Sequence, residues 1–108
     1  MQYDIDTIIT RLSEPEKLVD PKEINTLQGY LNGHITDLEE EEWSRQLVAS
    51  NKLAELNVEL SAAKADVQWR VSNEYRLWKG IERTVKKLKR YRSDLKDRFA
   101  VLTNNKRY

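Results

Sequence analysis

The chain has 108 residues, a formal net charge of +1 and no cysteine, so neither a disulfide framework nor a thiolate metal site can hold the fold together. It has one histidine, His34, and no phosphate-binding glycine loop. We therefore expect no enzyme activity, no catalytic residue, no metal site and no cofactor. Charged residues make up 34% of the chain and only three glycines and two prolines interrupt it, which favours long helices over sheet.

The first ten residues include two aspartates and no apolar run long enough for a signal peptide or a membrane span. We expect a cytoplasmic protein that does not contact a membrane. Charge is unevenly distributed, because residues 1–60 have a net charge of −8 and residues 61–108 a net charge of +9. Such asymmetry is typical of a basic arm for nucleic acid, or of two halves that neutralise each other.

Residues 3–20 are predicted to form short helices, since their isoleucines and leucines recur at helical spacing. The clearest boundary follows at Asp20-Pro21, where a capping aspartate precedes a first-turn proline. A new helix is predicted from residue 21. Asn32-Gly33 tolerates left-handed backbone, which predicts that this helix ends at residue 32.

A further helix is predicted over 34–57, a long basic helix over 60–103 and a tail over 104–108. Asn57 offers a corner between the two helices, because asparagine is one of the few residues that ends helices in left-handed conformation. Ser61 is a candidate cap for the helix that follows.

The long basic helix has a heptad seam in which nine of eleven positions are apolar. The apolar positions are Val67, Val71, Trp78, Ile81, Val85, Leu88, Leu95, Phe99 and Leu102. Glu74 and Arg92 interrupt the seam: if buried, each needs a partner from elsewhere, and the alternative is that both lie where the seam opens to water. Upstream, the leucines follow the same rhythm in a shifted frame. The slip near Val67 indicates either a stutter in one helix or two separate helices.

The seam must be covered, either because the chain folds back or because two chains pair. A reversal near residues 57–60 would place the acidic stretch 39–42 beside the cations of 76–83, and an antiparallel dimer would do the same. We predict an all-α fold: a long antiparallel helical hairpin or coiled coil with short N-terminal helices packed on it. We expect residues 1–108 to form a single domain, and the protein to be a homodimer.

Three tryptophans and a tyrosine provide the large aromatic side chains of the middle of the chain. Trp78 lies on the seam and is expected in the core. Trp69 falls off the seam, and its indole N–H is easier to satisfy at a wet boundary, which makes it a candidate interface anchor; packing against a neighbouring helix is the alternative. The predicted protein-contact residues are Trp69, Tyr75, Arg76 and Lys79.

A dense basic run lies on the predicted C-terminal helix. A cationic helix face can neutralise phosphates without reading sequence, and a tyrosine can stack on exposed bases. The alternative is a solvated flank of a coiled coil. The candidate nucleic-acid contacts are Arg83, Lys86, Lys87, Lys89, Arg90, Tyr91 and Arg98.

Four consecutive glutamates form an acidic patch. The patch could mimic phosphates or bind a cationic partner surface, whereas metal binding is disfavoured because consecutive helical residues point in different directions. A polar face with intramolecular ion pairs is the alternative. The acidic patch consists of Glu39, Glu40, Glu41 and Glu42.

Four stretches, Leu27–Leu31, Leu38–Glu41, Ala65-Asp66 and Asn73–Lys79, resemble small helical proteins of tailed bacteriophages that are often encoded among early genes for replication and recombination. The resemblance implies an accessory protein in the cytoplasm of an infected bacterium. Such a protein would act beside a single-strand annealing protein, or against a host nuclease or defence complex. The resemblance implies no catalytic residues.

The first functional hypothesis is a non-catalytic helical protein-interaction module, such as a phage accessory protein or inhibitor that binds a host or phage protein complex. A nucleic-acid-binding accessory factor that uses the basic C-terminal helix is the second. A structural oligomer is the third, since opposite charge at the two ends permits head-to-tail association.

Overall fold

The computed structural model describes residues 4–104, without the side chains of Ile5 and Pro15. The helices are α1 (Ile5–Leu12), α2 (Pro21–Glu59), α3 (Ala62–Arg70) and α4 (Asn73–Asn104), and a 3₁₀ turn, Pro15–Lys17, follows α1. Helices α2 and α4 pack together as the arms of an all-α hairpin, which confirms the predicted fold class. After Asn104, the predicted tail lies outside the described residues.

Side-chain caps fix where several helices begin. The carboxylate of Asp20 accepts a hydrogen bond from the backbone N–H of Lys22 at 3.0 Å, and α2 begins at Pro21 as predicted. The Ser61 hydroxyl accepts from the first turn of α3 at 3.4 Å, which confirms the predicted cap. Asp4 caps α1 by accepting from Thr7 N at 2.7 Å, and this hydrogen bond lowers the pKa of Asp4 because the ionised carboxylate is the better acceptor.

Helix α2 continues through Asn32-Gly33, so the predicted end at residue 32 is wrong and one helix covers both 21–32 and 34–57. Glycine costs a helix interior about 1 kcal/mol relative to alanine. Leu31 and Ile35 lie one turn apart on either side of Gly33 and are at most 1% exposed. Burying a single such side chain stabilises by about 1.5–3 kcal/mol, which exceeds the cost of the glycine.

The predicted long basic helix is instead two helices, because the chain leaves helical geometry at Val71-Ser72. The Ser72 hydroxyl donates to the carbonyl oxygen of Trp69 at 2.6 Å and accepts from Tyr75 N at 3.3 Å. One serine therefore satisfies polar groups at the end of α3 and at the start of α4. The slip in the heptad frame reflects this break between two helices rather than a stutter, since α3 and α4 need not share a register.

By their internal contacts the residues divide into two compact units. The first unit is described over residues 4–36 and 86–104, and the second unit is residues 37–85. Because α2 and α4 each contribute to both units, this division does not test the prediction of a single domain, which stays a prediction.

The first unit has a core of large aliphatic side chains. Those at most 1% exposed are Ile8, Leu18, Ile24, Leu27, Leu31, Ile35, Leu88 and Leu95. The N-terminal elements are held by polar contacts as well: Arg11 forms an ion pair with Glu23 of α2, and Arg98 Nε donates to the carbonyl oxygen of Leu18 at 3.0 Å. The short N-terminal helical elements thus pack on the hairpin as predicted.

The second unit has a much thinner core. Its fully buried apolar residues are Ala49 and Ala65, and Val85 is 3% exposed. Val67 and Val71 of the predicted seam are more than 60% exposed, so the seam is covered only from Trp78 onward, where the side chains are half-buried or buried. Alanine removes little apolar surface from water, and this unit must gain its remaining stability from other contacts.

Replacing Gly33 with alanine is expected to stabilise the protein by about 0.5–1 kcal/mol. The φ of Gly33 is not positive, and an added Cβ would meet no atom within 4 Å, so the substitution removes backbone freedom of the unfolded chain without a clash. Urea denaturation followed by circular dichroism measures the change. A destabilised Gly33→Ala variant would contradict the continuous helix.

Candidate protein-interaction surface

A cluster of three aromatic rings lies in the second unit. Ring centroids are 4.7 Å apart for Trp69 and Tyr75, 5.8 Å for Tyr75 and Trp78, and 6.1 Å for Trp69 and Trp78. The ammonium group of Lys79 lies 4.3 Å from the Trp78 centroid, in a favourable cation–π geometry. The cluster depends on the break at Ser72, which allows the end of α3 and the start of α4 to turn their rings toward each other.

Trp69 also joins the cluster to α2. Its indole nitrogen donates to the carbonyl oxygen of Ala49 at 2.8 Å, across 20 residues of sequence. Ala49 is fully buried, and a larger side chain at this position would crowd the approach of the indole to the helix backbone. The indole N–H is therefore satisfied by a neighbouring helix, which agrees with the packing alternative, and the role of Trp69 as an interface anchor stays a prediction.

The four predicted protein-contact residues have different surroundings. Trp69 and Tyr75 are half-buried in the aromatic cluster. Lys79 pairs with Glu82 of its own helix at 3.3 Å, whereas Arg76 is exposed. Their role as protein contacts stays a prediction, and Arg76 is the one among them whose side chain is exposed to a partner.

Large apolar side chains are exposed mainly in the second unit. Among the described residues, nine such side chains are exposed, and seven of them belong to residues 37–85. The seven are Trp43, Leu47, Val48, Val58, Val67, Val71 and Leu77. Single exposed apolar residues are ordinary, but a concentration of them marks an interaction surface.

Part of this apolar surface forms a stripe along α2, which we call the outward face: Trp43, Leu47, Ala54 and Val58. At 3.6 residues per turn these four positions lie within ~60° of one another and roughly opposite Ala49, over a length of roughly 22 Å. Exposure agrees with that geometry, since Trp43 is 64% exposed and Val58 is 84% exposed. Residues 37–59 of α2 thus have two apolar faces, and only one of them is packed.

The sequence contains a signal for the outward face that lies outside the heptad pattern. Trp43 and Leu47 are four residues apart, and Ala54 and Val58 repeat that spacing eleven residues later. Leu53 and Leu56, which carry the other stripe, are half-buried. When a helix has apolar residues on two faces, its faces differ little in hydrophobicity. A pattern with a single seam therefore does not distinguish the two stripes.

The charges around the outward face are acidic. Glu40 lies within its arc and Glu39 and Glu55 lie beside the arc, whereas helical periodicity directs Arg45 and Lys52 toward the side of Ala49. Glu41 pairs with Arg45 on that other side at 4.0 Å. The predicted acidic patch lies on the first turns of this stretch, with Glu40 on the outward face and Glu42 half-buried. Residues 37–85 as a whole have a net charge of −3.

The predicted nucleic-acid contacts do not form one surface. Arg83, Lys86, Lys87, Lys89 and Arg90 are exposed along α4, and Tyr91 and Arg98 are half-buried. Tyr91 and Arg98 line a cleft of about 200 Å³ together with Leu12 and Leu18, and Arg98 is bonded to a backbone carbonyl. Arg92, which interrupts the seam, is half-buried and donates to the side-chain oxygen of Asn32 at 3.3 Å.

Within residues 4–104, no group of three or more histidine, aspartate or glutamate side chains is placed to hold a metal ion. In the same part of the chain, no helix combines the length and apolar composition required to cross a membrane. No protein-family model, no curated protein and no solved structure matches the chain. The resemblance to helical proteins of tailed bacteriophages stays a prediction.

Substitution by phenylalanine is expected to change the free energy of unfolding by different amounts at Trp69 and at Trp78. The Trp69 indole donates to Ala49, whereas Trp78 Nε1 is buried with no acceptor among the described residues. Trp69→Phe should lower the free energy of unfolding by about 1–3 kcal/mol, and Trp78→Phe should change it by less than about 1 kcal/mol, because it removes an unpaired N–H. Urea denaturation measures both. Equal losses would show that ring size, and not the hydrogen bond, decides the outcome.

Proposed function

We propose that the protein is a non-catalytic helical interaction module that binds a partner protein along the outward face of α2. The observation that carries the proposal is the exposure of Trp43, Leu47 and Val58 on one side of a helix whose other side is packed. Apolar side chains at such spacing are the anchors by which amphipathic helices bind one another. Tryptophan is enriched among the residues that dominate binding energy, which makes Trp43 the central contact.

The charges around this face favour a cationic partner. Acidic side chains flank the apolar stripe, and the two cations of the stretch point elsewhere. A partner helix with its own apolar stripe and lysine or arginine flanks would be attracted to this surface and held in register by it. We therefore assign the outward face to a basic amphipathic helix.

A second copy of the same face is a poorer occupant. Two outward faces packed against each other would bring Glu40 and Glu55 of each chain close to the acidic side chains of the other. Like charges across an interface disfavour association. The expected homodimer stays a prediction, and this face does not support it.

Two synthetic helical peptides test the proposal. Both have the same leucine stripe at helical spacing, but one has lysine flanks and the other glutamate flanks. Isothermal titration calorimetry at physiological salt is expected to show binding of the lysine-flanked peptide and none of the glutamate-flanked peptide. The double variant Trp43→Gln/Leu47→Gln should weaken binding at least tenfold, about 1.4 kcal/mol, because it removes the anchors and keeps good helix-forming residues.

Val67→Gln is the matched control, since Val67 is 65% exposed but lies on α3 rather than on the outward face. It should bind the lysine-flanked peptide as the original protein does. Equal binding of the two peptides, or an unchanged affinity of the Trp43→Gln/Leu47→Gln protein, would refute the assignment. Analytical ultracentrifugation of the free protein separately measures whether it dimerises.

A further inference from the structure

A polar groove lies between α2 and α4 in the first unit and has a volume of about 410 Å³. Its lining residues are Gln28, Asn32, Lys89, Arg92, Ser93 and Lys96. Three of the six are cations, two are amides, one is a hydroxyl, and none is acidic. Every lining side chain can donate a hydrogen bond, so the groove presents donors and positive charge with no carboxylate among its lining residues.

The groove exists because a polar pair interrupts the seam. Leu88 and Leu95 are buried at their heptad positions, but Arg92 between them is only half-buried. Arg92 Nη1 donates to Asn32 Oδ1 at 3.3 Å, which holds the guanidinium at the groove and leaves its other N–H groups for further acceptors. Because the side-chain oxygen of Asn32 accepts from Arg92, the N–H groups of the same amide can donate only to other acceptors.

We infer that this groove binds phosphate groups of a nucleic-acid backbone. Arginine in a fixed orientation binds a phosphate through two parallel hydrogen bonds, and lysine adds point charge. Amide and hydroxyl side chains are further donors that commonly contact phosphate oxygens. The inference goes beyond the proposed protein-binding face, because it concerns the other unit and a different kind of ligand.

The shape of the groove favours a polymer over a free phosphate ion. Asn32, Lys89, Ser93 and Lys96 are exposed, so the groove is open and does not enclose a small anion. Lys89 and Lys96 are separated by seven residues of α4, which is roughly 10 Å along the helix axis. Lys86, one turn earlier, extends the basic line to roughly 15 Å, so only an extended polyanion contacts all of these cations at once.

The groove overlaps the predicted nucleic-acid surface only in part. Lys89 is a predicted nucleic-acid contact, and Arg92 and Lys96 belong to the same basic run of α4, whereas Ser93 is not predicted. Two other predicted contacts, Tyr91 and Arg98, do not line the groove but line the cleft beside Leu12 and Leu18. Backbone binding of this kind carries no base readout, since the groove supplies donors to phosphates and no aromatic side chain for stacking.

Fluorescence anisotropy with a labelled single-stranded oligonucleotide and its duplex tests the inference on the full chain. At low salt we expect measurable binding whose log affinity falls linearly with log salt. The triple variant Lys89→Gln/Arg92→Gln/Lys96→Gln should weaken binding at least about tenfold and reduce the salt slope by about 2 for the single strand. Lys89→Gln/Lys96→Gln, which keeps the bond from Arg92 to Asn32, should show part of the same loss if the triple variant does not fold.

Lys87→Gln is the matched control, because it removes one cation from α4 roughly 160° around the helix from Lys89. Its affinity should stay within about threefold of the original protein, less than the loss from Lys89→Gln alone. Absence of oligonucleotide binding at low salt, or a Lys87→Gln effect equal to that of Lys89→Gln, would overturn the inference.

Two competitors distinguish a nucleic-acid backbone from a free phosphate ion and from an acidic protein segment. If inorganic phosphate displaces the oligonucleotide at an equal concentration of phosphate groups, the groove binds the free ion and the polymer assignment is wrong. If poly-glutamate at an equal concentration of charge competes as well as unlabelled oligonucleotide, the ligand is an acidic protein segment and the phosphate assignment is wrong. Failure of either kind leaves the outward face of α2 untouched, because the lysine-flanked peptide tests that face by itself.

Discussion

The hydrogen bond from the Trp69 indole to the carbonyl oxygen of Ala49 is the contact on which the second unit depends. It requires small side chains where α3 approaches α2, and Ala49 and Ala65 are both fully buried. Because the fully buried residues of this unit are alanines, the aromatic rings around Trp69 supply its large packing contacts. Trp69 occupies one side of α2, and Trp43 lies exposed on the opposite side, where we propose that a partner binds.

The two units divide apolar burial unequally. The first unit buries eight large aliphatic side chains almost completely, so its apolar surface is used within the chain. Its groove around Arg92 is polar and cationic. The second unit leaves most of the exposed large apolar side chains uncovered and is net acidic. The phosphate backbone and the basic amphipathic helix that we propose as ligands therefore belong to different units.

Three features could be predicted because each depends on a few neighbouring residues. They are the helical content, the boundary at Asp20-Pro21 and the cap at Ser61. Gly33 shows the limit of such local signals. Asn32-Gly33 permits a left-handed turn, but burial of Leu31 and Ile35 is worth more than the glycine costs. The opposite error occurred at Ser72, where no proline or glycine marks the break. A serine followed by Glu74 in the first turn of α4 was the available signal.

By itself the sequence determined that the chain is helical, that α2 begins after Asp20 and that Ser61 caps α3, because these follow from spacing and local capping. Only the tertiary structure decided which apolar residues are consumed in packing. Trp69 and Trp43 are chemically the same, yet one is bonded to Ala49 and the other is 64% exposed. Helical periodicity defines the faces of α2, but contacts between residues distant in sequence decide which face is covered.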